Sequence, residues 1–136
     1  MRFSPVVLSL PIADRGASYR FYRDGLGLEP VGEVAGDGYP EPLQFALNEG
    51  VRIMLIPTGG FGWVIGDHKV AAPGQSECVV SVDASDREAV VEFIERARRA
   101  GGRVLSEPEQ QPWGFVGTFA DPDGHLWMVN TETLPS

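Results

Sequence analysis

The chain has 136 residues, enough for one domain or for two small halves sharing a core. With 43% hydrophobic and 22% charged residues it has the composition of an ordinary soluble globular protein. Its formal charge of −8 argues against a nucleic-acid partner and against an anionic membrane surface, and is compatible either with a cationic small ligand or with plain solubility. A single cysteine, Cys78, cannot form an internal disulfide. No apolar run approaches the roughly 20 residues that span a bilayer, and the N-terminus lacks a signal-like cleavage site. A cytoplasmic setting without a membrane partner is expected.

The elements follow in order. Val6 to Ile12 reads as a strand, with Pro11 near its end or at an edge because proline cannot donate to a ladder. Asp14 can cap a helix running to Asp24, in which Ala17 with Phe21 and Tyr22 with Leu26 form two inward ridges. Gly25 and Gly27 end it. Leu28 to Val34 is a weaker strand, residues 36–42 a loop, and Leu43–Leu47 with Val51–Ile56 a hairpin about Asn48-Glu49-Gly50. Residues 58–75 read as a glycine- and proline-rich linker, although Phe61, Trp63, Val64 and Ile65 are too apolar for a free spacer.

A strand over Cys78–Val82 comes next, then Ser85-Asp86-Arg87-Glu88, which has the form of a capping box led by Ser85. Val90, Phe93, Ile94 and Ala97 follow at helical spacing, and Gly101 stands where a C-cap belongs. Arg103–Leu105 is a short strand. The end of the chain is a hairpin whose apolar runs, Phe115–Ala120 and Leu126–Val129, flank Asp121-Pro122-Asp123-Gly124. Alternation puts Phe115, Gly117 and Phe119 on one face of its first strand and Val116, Thr118 and Ala120 on the other.

Residues about 4–57 and about 76–132 thus repeat one order of elements, strand, capped helix, strand and hairpin. Each half makes a βαβββ sheet with one face left uncovered by its helix. The expected fold is α+β, a single domain over 1–136, with the two modules forming a cup-shaped mixed sheet and the helices outside.

Three stretches carry a family resemblance: Pro11–Asp14 leading into Ser18-Tyr19-Arg20-Phe21-Tyr22-Arg23-Asp24-Gly25-Leu26-Gly27-Leu28, then Ala97–Val104, then Trp113-Gly114 through Phe119-Ala120-Asp121-Pro122-Asp123-Gly124-His125-Leu126-Trp127. In these the chain resembles the vicinal oxygen chelate superfamily, which includes glyoxalase I, bleomycin-resistance proteins and extradiol dioxygenases. The resemblance implies two βαβββ modules, often completed as a homodimer, and in the metal-using members four His or Glu ligands. Carried over, those ligand positions fall at Val7, Met54, Glu77 (with Cys78 beside it) and Met128. A divalent metal needs about three protein ligands, so neither a metal nor another cofactor is expected. His68 and His125 stand at none of these positions.

Met54 and Met128 would make the cup apolar and polarizable. Trp127 should face away from Met128, into the helix-packing core. Trp113, Phe115 and Phe119, with Phe45 and Trp63, are candidate pocket walls or else fill the concave face. Glu77, if enclosed, could act as a base or hold a cation, and is otherwise a solvated residue at a strand start. The favoured expectation is a non-metal protein that sequesters a hydrophobic or cationic small molecule, like the antibiotic-binding bleomycin-resistance branch. The alternative is a lyase, isomerase or dioxygenase using Glu77.

Overall fold

The computed structural model describes residues 1–131. These fall into two compact units that divide between Ala72 and Pro73, and residue 132, where the second repeat was expected to close, lies outside the described residues. In the first unit, β1 (Val6–Ile12) leads into α1 (Arg15–Tyr19). Asp14 caps that helix, its carboxylate accepting from the N–H groups of Gly16 at 2.8 Å and Ala17 at 3.2 Å. The helix then widens into a π-helical segment over Arg20–Gly25, with Leu26 N–H donating to the Phe21 carbonyl. Phe21 and Tyr22 are both buried there, edge to face at 5.1 Å.

β2 (Glu29–Val31) is shorter than the expected Leu28–Val34 strand. The chain turns away at Gly32 with φ of 96°, and Val34 makes only an isolated bridge to Pro40. β3 (Leu43–Ala46) and β4 (Val51–Pro57) form the expected hairpin, closed by Asn48, whose side chain accepts from the Gly50 and Val51 N–H groups. The sheet order is β1-β4-β3-β2, with β1 parallel to β4 and the other pairs antiparallel. Residues 58–75 were expected as a linker without regular structure. Instead Thr58–Ile65 forms α2, and none of its residues is buried.

The second unit repeats the pattern as β5 (Val79–Asp83), α3 (Arg87–Arg99), β6 (Arg103–Gln111), β7 (Gly114–Ala120) and β8 (Leu126–Thr131). Its order is β5-β8-β7-β6, again with the first strand parallel to the last. The cap of α3 is Asp86, one residue later than the Ser85 expected, because it is the Asp86 carboxylate that accepts from the Ala89 N–H at 2.8 Å. β6 is nine residues long where three were expected. Register shifts between Val104 and Ser106 and between Ser106 and Glu109 break the alternation that would have disclosed it. The turn after β7 is organised by Asp121. Its side chain accepts from the N–H groups of Asp123 and His125, and Gly124 supplies the φ of 91° that closes the turn.

Each sheet is covered by helix on one face. In the second unit Phe119 stacks on Trp127 at 6.0 Å and meets Phe93 of α3 at the same distance. Val90, Ile94 and Ala97 of that helix are buried against them. The helix lies close over Gly117, where an added Cβ would stand 2.9 Å from Ile94 Cγ1 and 3.3 Å from Pro108 Cγ. In the first unit Tyr19 and Tyr22 pack on Phe45, above Ile53 and Leu55.

Three stability measurements follow from this packing and from the cap of α3. In urea unfolding, Gly117→Ala is expected to cost about 1–3 kcal/mol, the scale of overpacking a filled core. Asp86→Ala is expected to cost about 1 kcal/mol, the scale of a lost N-cap. Ser85→Ala should stay within about 0.5 kcal/mol, and the reverse ranking of those two would show that the cap lies at Ser85.

Candidate functional site

Strand register decides which side chains share the helix-free face of each sheet, because partners in adjacent strands point the same way. In the first unit Met54 of β4 stands between Ser9 of β1 and Gln44 of β3, with Val31 of β2 beyond. The next row is Val7, Arg52, Ala46 and Glu29. In the second unit Met128 of β8 stands between Ser81 of β5 and Thr118 of β7, with Ser106 of β6 beyond. One row over lie Asp83, Asn130, Val116 and Glu109, and Asn130 Nδ2 donates to Asp83 Oδ1 at 3.4 Å. Both methionines are half-buried. Each helix-free face therefore has a polarizable thioether on the second strand in spatial order, short polar side chains beside it, and charge further out.

The remaining expected site residues are distributed differently. Phe45, Phe115 and Phe119, expected as pocket walls, point to the helix side and are buried there. Phe45 packs on Tyr19 and Tyr22, Phe119 on Phe93 and Trp127, and Phe115 under the Arg87 guanidinium, 4.2 Å from its ring centre. The reason is parity: all three share the strand face that carries the core. Trp127 is fully buried on that side, as its alternation with Met128 required. Trp113 sits in the turn between β6 and β7 and is 65% exposed, and Trp63 on α2 is 86% exposed. Glu77 and Cys78 are exposed and precede β5 rather than opening it.

The residues that sequence reasoning passed over are Ser9, Gln44, Ser81 and Thr118. Counting two residues either way from each methionine finds the strand neighbours of that face, but the cross-strand partners depend on register, which the sequence does not print. At the four positions where metal ligands were sought, Val7 offers no donor, Met54 and Met128 offer soft thioethers, and Glu77 offers a single carboxylate, exposed ahead of β5. This set does not fit a hard divalent cation. Among the described residues no three His, Cys, Asp or Glu side chains are grouped as a metal site would need. No helix among them is long and apolar enough to cross a membrane.

The family model of the Glyoxalase/Bleomycin resistance protein/Dioxygenase superfamily matches residues 4–129. The chain belongs to this superfamily. Solved structures agree with the assignment of fold. A hypothetical protein, SA1046, from S. aureus is similar with a TM-score of 0.80 at 21% identity, over 96% of this chain and 95% of that one. A glyoxalase-related enzyme from Fulvimarina pelagi gives 0.79 at 28% identity, over 96% and 88%. TioX from Micromonospora sp. ML1 gives 0.68 at 22% identity, over 96% and 100%. Among curated proteins no match was found.

Within this superfamily member, a strong ionic contact lies away from the methionine rows, at the start of α1. Arg15 Nε and Nη2 donate to the two Asp37 carboxylate oxygens at 2.8 and 3.2 Å, Nη2 also donates to the Pro40 carbonyl at 2.8 Å, and Nη1 pairs with Glu41 at 3.1 Å. The Arg15 hydrogen bonds, and then the Tyr39 N–H, hold the Asp37 carboxyl below its ordinary range. A depressed carboxyl stabilises the fold above its unfolded pKa and ceases to do so as pH falls through the folded value. The stability difference between wild type and Arg15→Met is therefore expected to be constant at neutral pH and to shrink below about pH 4. Urea unfolding at stepped pH checks this, and a gap that widens on acidification would contradict it.

Proposed function

We propose that this superfamily member is a metal-free small-molecule binding protein that takes up a flat, hydrophobic, cationic compound on the helix-free faces of its modules, with a homodimer as the assembled form. The observation that carries the reading is the substitution pattern on those faces. Met54 and Met128 stand where the resemblance places metal ligands, each beside short polar side chains, and Val7 stands at a third such position. Thioethers and methyls adapt to an irregular apolar surface, whereas chelation needs hard donors. The charge of −8 favours capture of a cation. Binding without turnover would sequester the compound, as a resistance protein does.

A second reading, a lyase, isomerase or dioxygenase, draws support from the likeness to the Fulvimarina pelagi glyoxalase-related enzyme. It needs Glu77 as base or ligand, and this residue is exposed ahead of β5. That reading expects turnover abolished by Glu77→Gln with folding intact.

Calorimetric titration separates the two. Proflavine, a flat aromatic cation, is expected to bind the wild type with a dissociation constant on the order of micromolar. Met54→Lys and Met128→Lys are each expected to weaken it by at least about tenfold, since a buried ammonium opposes both burial and the cationic guest. Tight stoichiometric binding of zinc, nickel or iron(II) would overturn the proposal.

A further inference from the structure

α2 is an unusual element on physical grounds. It holds three glycines among eight residues, Gly59, Gly60 and Gly62, and glycine is among the poorest helix formers. No side chain caps its first turn, and no acidic or basic residue complements its dipole at either end. Helices of this length depend on tertiary burial, and α2 buries none of its residues. It ends at Gly66, whose φ of 66° breaks the helix. Yet after Thr58 its sequence, TGGFGWVI, has no polar side chain, and Trp63 and Val64 are 86% and 57% exposed. A segment with few buried contacts belongs to the low-stability end of a fold, from which moving elements are drawn.

Its attachment shows where it can reach. Thr58 Oγ1 donates to the Ile12 carbonyl at 3.1 Å, which fixes the first turn to the end of β1. An added Cβ on Gly60 would stand 3.2 Å from Ile56 Cγ2, so the helix backbone lies against Ile56. Ile56 pairs with Pro11 and lies two residues from Met54 along β4, on the same helix-free face. On a helix, residues three and four positions after Gly60 share its side, and these are Trp63 and Val64. The stripe that touches the helix-free face at its root therefore continues outward as an unpartnered indole and isopropyl group. Gly59 and Gly62 have open space around them, so neither glycine is required by crowding.

We infer that α2 is a hinged flap, fixed at Thr58 and released at Gly66, whose Trp63 ring closes over an aromatic ligand lying on the Met54 face. This rests on the proposed binding function and assigns a specificity determinant to it: a flat π-system, held between thioether and indole, is the ligand class this pair selects. An aliphatic cation of equal charge gains no ring contact and should bind more weakly.

The test uses the full chain in a Trp113→Phe background, which leaves Trp63 as the exposed indole beside the buried Trp127. Saturation with proflavine is expected to lower the iodide-quenching constant of tryptophan emission at least about threefold as the flap covers Trp63. Trp63→Ala is expected to weaken proflavine about tenfold, with recovery in Trp63→Phe. Trp63→Ala should leave the affinity for an aliphatic monoammonium cation unchanged. Unaltered proflavine affinity in Trp63→Ala, or unaltered quenching at saturation, would overturn the flap while leaving the binding function standing. A wild-type protein that binds no proflavine would overturn both.

Discussion

The constraint on which everything else depends is that each four-stranded sheet buries only one face under its core helix, α2 meeting the other face of the first sheet at Ile56. A strand presents its side chains alternately to two faces, so covering one face dictates the chemistry of both. On the covered face of the second unit the alternation delivers Phe119, Trp127 and Val129 to the core with α3 seated over them, and Gly117 removes the side chain that would hold the helix away. On the other face it delivers Thr118, Met128 and Asn130. A one-residue slip would exchange the two sets and bury an asparagine under the helix. Register is thus fixed by the core, and the row on the helix-free face follows as a consequence.

The two modules reach this arrangement through different local devices. In the first, Asp14 caps the helix and Arg15 ties its start to the 37–41 segment. In the second, Asp86 caps the helix and the Asp121 carboxylate organises the hairpin turn. Yet the central rows agree: Ser9, Met54 and Gln44 in one sheet, Ser81, Met128 and Thr118 in the other. The repeat is preserved more clearly in which residues face away from the helix than in the residues that build the turns.

Much of this was legible in the sequence. The order of elements followed from helix-end punctuation and turn residues, and Trp127 was placed in the core by its parity with Met128. The same parity argument, had it been extended from Gly117 and Trp127 across the β7–β8 register, would have moved Phe115 and Phe119 to the core as well. Their aromatic content suggests pocket walls, but phase along the strand overrides it. The same holds for Phe45. β6 was shortened because its bulges hide alternation, and α2 was missed because three glycines in eight residues speak against a helix on propensity alone. The partners of each methionine were not legible, since pairing across strands is a property of the sheet.

The π-helical segment ties the length of the first helix to the volume of the core beneath it. Its wider turn, with Leu26 bonded back to Phe21, lets two successive aromatics point inward, where an α-helix would separate neighbours by about 100°. Such a segment is in effect one residue inserted into a helix. Deleting that residue from this chain would turn one of the two aromatics out of the space that Phe21 and Tyr22 share, and would leave a cavity beside Phe45.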